Sequence, residues 1–585
     1  MKKIVFRSFV ISLVLIAGSL SITAQTDYSN LKLEFRKEIA KKMKKSKIKG
    51  ASIALVVGDS IVWSEGFGYA DVENKIEASS ETQYRIGSVT KLFTGIAVMQ
   101  LQEKNQLNIN EPVSKFFPKF NIKSRFGSID EITPRNVMTH TAGLPCDIMR
   151  GFVSEQAESY MKEIDYLNKE YTIYAPNTVH AYSNPGYNLL GCMVEEISNT
   201  PYKDYIKQNI FDVLGMNNSF FNELDATGLA VAYNRKGELA NEIPIREVPA
   251  GEIKSTVIDL SKFITSHLPN SERTILTKES YCEMRKVQFD ELYEGAFSKI
   301  GLTWFIRESE GYDNIYEHGG ATLYHRAKVA ICPEQNIGIV ILTNSSRGGA
   351  ITSMSTKILK KAIALNSEES DKIVEEKKER KKSIKKAHIS SDELNKLNGV
   401  YALPGVIYEV TTKKKCLTTR IQGFRMDMIY VGNNEFLPIL KLLNFIPIKN
   451  KTARFIFKKE GGETIIYQKD LENNGLSIIG QRFEKAQITD KWEQRIGKYK
   501  VVNSKTGDFN LFDSMEIVKE NDILILKTTV KLDGEQVMEM GLGILSDDLA
   551  YVLGKGRQGG YSVAVEYDEE GNELLRFTGF LLMKE

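Results

Sequence analysis

Three short groups of residues along the 585-residue chain carry side chains suited to acyl transfer. Ser88 and Lys91 form a Ser-x-x-Lys sequence, Tyr182 and Asn184 form Tyr-x-Asn, and His318 begins His-Gly-Gly. A serine hydroxyl is a weak nucleophile unless a neighbouring base takes its proton, and lysine and tyrosine can both act as that base. The three groups therefore predict a nucleophile, a proton acceptor and a substrate-binding strand edge.

The Ser-x-x-Lys spacing alone is a weak signal, because it also occurs at Ser29, Ser46, Ser159 and Ser383. Only residues 88–101 form an apolar segment that follows a glycine, which predicts a buried helix entered through a sharp turn. A lysine on a buried helix is costly unless it is paired or neutral. On this segment alone, an N-cap serine with a lysine directed to solvent explains the pattern equally well.

The Tyr-x-Asn group favours the catalytic alternative. Tyr182 and Asn184 precede a Pro-Gly sequence and an apolar helical segment, so both side chains are predicted to project from a loop. An ordinary turn is the structural alternative. In the functional interpretation, Tyr182 together with Lys91 would remove the Ser88 proton, since a neighbouring ammonium lowers the pKa of a phenol.

The third group predicts how a substrate is held. Paired glycines, Gly319 and Gly320, let a substrate backbone approach a strand edge closely. A backbone N–H in this segment would join that of Ser88 in an oxyanion hole. A simple Gly-Gly turn is the alternative interpretation.

These groups need a scaffold that joins distant parts of the chain. Residues 51–57 and 61–67 predict a hairpin, residues 301–307, 324–332 and 337–343 predict strands, and mainly helical patterns lie between them. The simplest architecture is an antiparallel sheet assembled from both ends of the domain and flanked by helices. Such a sheet would bring residues near 88 and 320 together.

The chain divides into several predicted parts. Residues 1–24 predict a secretory signal peptide, residues 25–365 the catalytic domain, and residues 366–390 a charged linker. Beyond the linker the pattern is almost purely β. Gly399 and Gly497 each begin a Gly-x-Tyr sequence, which predicts two small barrel-like modules at residues 391–490 and 491–585, with a single larger β domain as the alternative.

Composition limits the partners and the cellular location. Removal of the signal peptide takes the formal net charge from +3 to 0, which argues against nucleic acid and anionic membrane surfaces as partners. The five scattered cysteines and six dispersed histidines predict neither a disulfide framework nor a metal site, and no cofactor is expected. We expect a periplasmic or secreted protein without a membrane span in its mature form; an uncleaved N-terminal anchor is the alternative.

Several segments together resemble the serine β-lactamase and penicillin-recognising family, in particular its branch of class C enzymes, DD-carboxypeptidases, esterases and D-aminopeptidases. The resemblance covers residues 48–345 and rests on residues 84–91, 132–145, 182–187, 210–216 and 249–256. It implies a β-lactamase/transpeptidase-like α/β domain. Some relatives, D-aminopeptidases among them, also carry two small β-barrels after the catalytic domain.

The resemblance also implies roles for individual residues. Ser88 would be the nucleophile, Lys91 and Tyr182 would transfer protons, and Asn184 would hydrogen-bond the substrate. For the third group the resemblance implies a substrate-binding strand edge that consists of His318, Gly319, Gly320 and Ala321. It also implies that the N–H groups of Ser88 and Ala321 form the oxyanion hole.

One departure from the family pattern bears on the substrate. Many members have Lys-Thr-Gly where this chain has His318 and two glycines, and the literal Lys-Thr-Gly at Lys505 lies too far along the chain to serve. An imidazole with a pKa of about 6.5 is mostly neutral at pH 7, so it recognises a substrate carboxylate less well than a lysine does. Arg326 is a further cation nearby, but its position is more typical of a strand-edge charge.

The sequence thus predicts an exported serine hydrolase that forms an acyl-enzyme at Ser88. Its expected partner is a small-molecule or peptide substrate: a small amide, an ester, or a peptide such as one containing D-amino acids. One alternative is a β-lactamase or DD-carboxypeptidase acting on cell-wall peptides. Another is a non-catalytic penicillin-binding-type sensor or scaffold. The sequence gives no indication of the oligomeric state.

Overall fold

The computed structural model describes the chain apart from residues 1–25, 222–227, 270, 291–298, 310–311, 367–386, 422, 443–445, 450–451, 461, 472–475, 485–486, 506–507, 509–511 and 532–534. The predicted signal peptide and most of the predicted charged linker therefore lie outside the described residues. The predicted domain boundaries remain predictions.

The first part of the chain is built on an eight-stranded antiparallel sheet with strand order β3-β2-β1-β12-β11-β10-β9-β8. Its strands come from both ends of the domain, as predicted. They are β1 Gly50–Val57, β2 Ser60–Asp71, β3 Ile76–Glu77, β8 Lys299–Ile300, β9 Phe305–Ser309, β10 Tyr312–Ala321, β11 Arg326–Cys332 and β12 Ile337–Thr343. Two short pairs lie outside this sheet, β4 Tyr84–Arg85 with β7 Lys254–Ser255 and β5 Ala232–Tyr233 with β6 Leu239–Ala240.

The helices lie mainly between the two groups of strands. They are α1 Ser29–Ser46, α2 Thr90–Glu103, α3 Val113–Phe116, α4 Pro134–Met138, α5 Glu163–Leu167, α6 Asn184–Ser198, α7 Tyr202–Ile206, α8 Asp212–Leu214, α9 Val248–Gly251, α10 Val257–Ser266, α11 Lys278–Arg285, α12 Gly349–Thr352 and α13 Ser355–Asn366. A π-helical turn covers Lys207–Phe211, and 3-10 turns cover Gly87–Val89, Ile129–Glu131, Tyr160–Lys162 and Pro333–Gln335. None of the described helices is both long enough and apolar enough to cross a membrane.

Strand β12 shows how helices cover both faces of the sheet. All seven of its residues are buried. Ile339 and Ile341 join the core formed with α1 and α13, whereas Val340 and Leu342 join the core formed with α2, α6 and α10. Because alternate side chains of a strand point to opposite faces, a continuous apolar run indicates a sheet covered on both sides.

Two predicted strands differ from the structure. Strand β9 begins at Phe305 rather than at residue 301, because Gly301 donates its N–H to the Trp304 carbonyl at 2.8 Å and Thr303 adopts a positive φ of 71°. For strand β10 only the end was predicted, as the substrate-binding strand edge at His318, and the part before it was not. The strand ends in His318–Ala321, and the glycines there lack the side chains that mark a strand in a sequence.

The chain after residue 387 forms two eight-stranded barrels, so the prediction of two modules is confirmed over the single larger domain. In the first barrel, β16 and β17 pair to close the ring, and β18 extends outward from β17. Its elements are α14 Ser391–Asn395, β13 Gly399–Leu403, β14 Val406–Lys413, β15 Cys416–Ile421, β16 Phe424–Gly432, β17 Glu435–Leu442, β18 Ile446–Lys449, β19 Ala453–Glu460, β20 Glu463–Asp470 and β21 Leu476–Arg482.

The second barrel is a closed ring in which each strand pairs with its neighbour in sequence and β29 returns to β22. Its elements are α15 Asp490–Gln494, β22 Gly497–Val501, β23 Phe512–Glu520, β24 Ile523–Lys531, β25 Glu535–Ser546, β26 Leu549–Val552, β27 Ser562–Tyr567, β28 Glu573–Phe577 and β29 Phe580–Lys584. Its core contains three side chains of the catalytic domain, those of Cys146, Ile173 and Ala181. The second barrel and the catalytic domain therefore share one core.

None of the five cysteines, all of which lie in the described part of the chain, takes part in a disulfide bond. Cys146, Cys192 and Cys332 are buried, as expected for small apolar side chains, whereas Cys416 is half-buried and Cys282 is exposed.

Candidate active site

Ser88 lies in the 3-10 turn that leads into α2, and two glycines press this turn against strand β10. Gly87 has a φ of 51°, and a Cβ atom there would lie 2.7 Å from the backbone nitrogen of Ala321. A Cβ atom on Gly320 would lie 1.8 Å from the Ile86 carbonyl oxygen. Neither position tolerates a side chain, so the glycines hold the half-buried serine directly beside the end of β10.

Lys91, the second residue of α2, is fully buried and contacts three other groups of the site. Its Nζ lies 3.3 Å from Ser88 Oγ, donates to Asn184 Oδ1 at 2.7 Å, and donates to the Ala250 carbonyl at 2.8 Å. Burial disfavours the ammonium form and lowers the pKa of Lys91 to about 7. The structure thus holds an amine that is partly neutral at physiological pH within reach of the serine hydroxyl.

The loop before α6 presents Tyr182, as predicted, whereas Asn184 is the first residue of the helix and not part of the loop. Ser183 between them fixes the turn, because its Oγ accepts the Gly186 N–H at 2.9 Å and its N–H donates to His140 Nδ1 at 3.0 Å. The His140 ring packs on the Tyr182 ring with centroids 4.1 Å apart. Lys91 Nζ lies 4.9 Å from the centre of the Tyr182 ring.

The predicted direction of the Tyr182 pKa is wrong. Burial raises the pKa of Tyr182 above its usual value, and this effect outweighs the hydrogen bond to Ser88 and the positive charge of Arg557, which act in the opposite direction. Lys91, with its pKa lowered to about 7, is therefore the stronger candidate for the group that takes the serine proton. Tyr182 stays a neutral phenol, which accepts one hydrogen bond while donating another and can therefore relay a proton.

His318 is held as a neutral imidazole. Its Nδ1 lies 2.7 Å from the Gly319 carbonyl, and a carbonyl only accepts, so Nδ1 carries the proton. Nε2 is then an acceptor, and among the described residues it has no hydrogen-bond partner. Burial lowers the pKa of His318 to about 3. The expected neutrality of His318 at pH 7 is therefore confirmed.

The remaining candidates from the sequence lie outside the site. Arg326 donates to the carbonyls of Thr322 and His325, both at 2.7 Å, and so fixes a turn. Lys505 pairs with Glu158, and the rest of its Lys-Thr-Gly sequence lies outside the described residues. Of the other Ser-x-x-Lys copies, Ser29 begins the surface helix α1 and Ser159 caps the Tyr160–Lys162 turn. Ser383 is not among the described residues.

Ser88, Tyr182, Asn184 and the 318–321 segment line one cavity of about 960 Å³. Other lining residues were not found from the sequence. Asp147 accepts from Asn184 Nδ2 at 2.6 Å, and Arg557, from the second barrel, lies 3.1 Å from the same carboxylate. The only signal in the sequence for Asp147 is that it lies two residues after the segment 132–145, which carries the family resemblance. No local pattern connects Arg557 with a serine in another domain.

The loop that carries Arg557, residues 554–560 between β26 and β27, is attached to the catalytic domain through its backbone. The Tyr174 hydroxyl donates to the Gly554 and Gly556 carbonyls, both at 3.1 Å. Arg125 Nη2 donates to the Gly560 carbonyl at 2.8 Å, and the Gln558 N–H donates to Cys146 Sγ at 3.4 Å. The 554–560 loop is thus fixed at the cavity by contacts that do not involve the Arg557 side chain.

A metal is not needed to explain this arrangement, in which an amine, a phenol and backbone N–H groups surround the serine. Within the described part of the chain, no group of three His, Cys, Asp or Glu side chains is placed to hold a metal ion.

The fold defines a serine hydrolase of the β-lactamase type. A family model described as Beta-lactamase matches residues 35–361, more than half of the chain, and the chain belongs to this family. Protein flp of Staphylococcus aureus is 26% identical over 310 residues, which are 52% of this chain and 61% of that protein. Beta-lactamase-like protein 4 of Dictyostelium discoideum is 31% identical over 280 residues, 44% of this chain and 48% of that protein. The matches span about half to three fifths of these curated relatives.

Solved structures share the fold. An octameric penicillin-binding protein homologue from Pyrococcus abyssi aligns with a TM-score of 0.51 at 24% identity, over 74% of this chain and 97% of its own. SurE aligns with a TM-score of 0.56 at 18% identity, over 77% of this chain and all of its own. A β-lactamase/D-alanine carboxypeptidase from Pseudomonas syringae aligns with a TM-score of 0.50 at 22% identity, over 57% of this chain and 99% of its own. At these identities the likeness establishes the fold alone.

Proposed function

We propose that the protein is an exported serine hydrolase that forms an acyl-enzyme at Ser88 and acts on a small amide, an ester or a peptide, including peptides with D-amino acids. The observation that carries this proposal is the buried amine of Lys91, 3.3 Å from Ser88 Oγ and with a pKa of about 7. A base whose pKa lies near the working pH combines a useful neutral fraction with sufficient proton affinity.

In the proposed acylation, Ser88 Oγ attacks the substrate carbonyl while neutral Lys91 takes the hydroxyl proton. A tetrahedral intermediate forms, and the N–H groups of Ser88 and Ala321 are its proposed oxyanion hole. The proton then passes through Tyr182 to the departing amine or alcohol as the bond to the leaving group breaks. Water then attacks the carbonyl of the acyl-enzyme, with the proton-transfer roles reversed. The bond to Ser88 Oγ breaks, and the acid and free Ser88 are released.

The strand edge of the cavity differs from that of a typical β-lactamase at His318. His318 is neutral and its Nε2 is buried, so the strand edge gives a substrate carboxylate neither a positive charge nor a donor from this side chain. This weighs against carboxylate recognition by the strand edge itself, which is where many family members have the lysine of Lys-Thr-Gly.

The experiment compares wild type with Ser88→Ala, each labelled by a fluorophosphonate and by a fluorescent penicillin. Both are then assayed with esters, D-aminoacyl amides and D-Ala-D-Ala peptides. The panel includes D-leucine derivatives, because the fold neighbour SurE has been solved with D-Leu. We expect labelling and turnover in wild type and neither in Ser88→Ala.

Three other outcomes would change the assignment. Full turnover by Ser88→Ala would exclude the proposed mechanism. Rapid acylation by the penicillin, or hydrolysis of the D-Ala-D-Ala peptides alone, would restore the β-lactamase or carboxypeptidase alternative. Ligand binding without any turnover would favour the sensor or scaffold.

A further inference from the structure

The second barrel places a guanidinium group directly in the active-site cavity. The guanidinium carbon of Arg557 lies 5.3 Å from the centre of the Tyr182 ring, and Lys91 Nζ lies 4.9 Å from the same point. About half of the Arg557 side chain, 52%, is exposed, although its partner Asp147 is almost fully buried. The guanidinium group is therefore both close to the proposed chemistry and open to a ligand.

The ion pairs of the cavity wall leave Arg557 the most available of its cations. Within the described lining, the cations are Arg307, Lys328 and Arg557. Arg307 and Lys328 both pair with Glu317, at 2.7 and 3.0 Å. Arg557 uses Nη2 toward Asp147, a carboxylate that also accepts from Asn184. A guanidinium group has five N–H donors, so this single contact leaves donors for a second, bidentate acceptor.

The neutral state of His318 removes the other candidate for anion recognition at this edge. His318 is neutral, its proton lies on Nδ1 and its Nε2 is buried, so it offers a carboxylate neither a positive charge nor an accessible donor. Arg326 is occupied with backbone carbonyls of its own turn. The strand edge itself therefore supplies no cation to the reacting group.

The loop also holds Arg557 in place before a ligand arrives. Its backbone is attached to Tyr174, Arg125 and Cys146 of the catalytic domain. A side chain presented from a fixed backbone loses less conformational freedom on binding than one on a loose loop.

We propose that Arg557 binds a carboxylate group of the substrate, so that the second barrel, through its 554–560 loop, determines substrate specificity. This inference takes the reaction from the proposed function. It concerns how the substrate is bound and not the groups that make and break bonds. It predicts a preference for acidic substrates over their neutral isosteres.

The test uses the full-length chain and a matched control. Arg557→Gln removes the guanidinium group; Lys555→Gln removes a positive charge from the same loop, at a side chain that faces Glu463 of the first barrel at 3.1 Å. Each is assayed with two substrate pairs. N-acetyl-D-alanyl-D-alanine against its C-terminal amide places the carboxylate on the leaving group, and mono-4-nitrophenyl glutarate against 4-nitrophenyl valerate places it on the acyl group.

We expect the ratio of kcat/KM for the acid to that for its neutral partner to fall about 10- to 100-fold in Arg557→Gln for one of the two pairs. In Lys555→Gln the ratio should stay within about twofold of wild type. Arg557→Lys, which keeps the charge but not the planar fork, should recover part of the preference. An unchanged ratio in both pairs overturns the inference, provided that the melting temperature of Arg557→Gln or Arg557→Lys matches wild type.

A binding measurement separates this inference from the proposed function. In the Ser88→Ala background, titration calorimetry compares N-acetyl-D-alanine with N-acetyl-D-alaninamide, and glutarate with glutaramide. We expect tighter binding of one acid than of its amide, and loss of that difference on adding Arg557→Gln. If no substrate is turned over but this difference is found, the proposed function fails and the carboxylate site stands. If turnover is found while acids and amides bind equally, the carboxylate site fails alone.

Discussion

The two C-terminal barrels have the same architecture but different neighbours. Each begins with a helical turn and a Gly-x-Tyr strand, and the tyrosine hydroxyl donates to a carbonyl four residues earlier, Tyr401 to Leu397 at 2.8 Å and Tyr499 to Arg495 at 2.7 Å. The described core of the first barrel consists of its own side chains. The core of the second includes Cys146 and two further residues of the catalytic domain.

This difference shows how one of two similar modules acquires a role at a distant site. Both barrels have glycine-containing turns between strands, but only in the second does such a turn contribute to the lining of the described active-site cavity. The first barrel contacts the second, where the Glu539 N–H donates to the Gly405 carbonyl at 3.1 Å. Paired variants in the two barrels therefore distinguish structural support from participation in the site.

The largest expected effect comes from the barrel cores. Leu582 in the second barrel and Leu417 in the first are fully buried, and replacing either by alanine should cost about 2–5 kcal/mol of folding free energy. Because the second core is shared, Leu582→Ala should also lower the temperature at which fluorophosphonate labelling of Ser88 is lost. Leu417→Ala should lower the melting temperature of its own barrel while labelling persists. Equal effects of both variants on labelling would contradict the shared core.

The next effect concerns the 554–560 loop. Gly560 has a φ of 75°, and a Cβ atom there would lie 2.5 Å from the Ile173 carbonyl oxygen, so Gly560→Ala must displace the loop. Gly462 in the first barrel has a similar φ of 89° but open space around it. Both alanines should cost about 1 kcal/mol in backbone strain. Only Gly560→Ala should lower kcat/KM, by up to about 100-fold, since small displacements in a site are costly. Steady-state kinetics with a substrate from the proposed panel measures this contrast.

A smaller effect is expected from a pair of tyrosines. The Tyr561 hydroxyl accepts the Asp147 N–H at 2.8 Å, whereas the Tyr408 hydroxyl donates to the Ile479 carbonyl inside the first barrel. Each phenylalanine variant should lose about 1 kcal/mol of folding stability. Tyr561→Phe should also lower kcat about fivefold, because Asp147 orients Asn184. A comparable loss of kcat in Tyr408→Phe would mean that stability alone accounts for both.

The smallest effect is a shift in pH dependence. In wild type, kcat/KM should rise with pH through about 7 as Lys91 loses its proton. The positive charge of Arg557 lowers the pKa of Lys91, so Arg557→Gln should move this acidic limb to higher pH, and Lys555→Gln should leave it in place. If the acidic limb of the pH profile does not move in Arg557→Gln, the charge of Arg557 does not influence the pKa of Lys91.

The same lysine gives a prediction for stability. The pKa of Lys91 is about 7 in the folded chain and near 10.5 in the unfolded chain, so between these values the unfolded chain binds more protons. Its contribution to the free energy of unfolding therefore rises with pH over this window. Measured by urea unfolding between pH 7 and 9, the free energy of unfolding should rise more steeply with pH in wild type than in Lys91→Met. Parallel curves for the two proteins would contradict a lowered pKa of Lys91.

The sequence predicts the local parts of this structure well. The hairpin around Gly58, the helix after Ser88 and the loop at Tyr182 follow from turn residues and hydrophobic patterns that lie within a few positions of each other. The extent of strand β10 escapes prediction, although its end was predicted as a strand edge, because this glycine-rich end packs through backbone and not side chains. The sign of the Tyr182 pKa shift was wrong, because desolvation depends on burial from all sides, which a linear pattern does not contain.

The contact between Asp147 and Arg557 joins positions 410 residues apart in the chain, and this separation has a consequence for biosynthesis. Ribosomes release the N-terminal part of a chain first, so Ser88 and Lys91 are available for folding long before Arg557 is synthesised. During that interval Cys146 and Ile173 have no barrel to cover them. The nascent catalytic domain thus contains Ser88 and Lys91 before Arg557 exists, and proteolytic loss of the second barrel would again leave Cys146 and Ile173 without their cover.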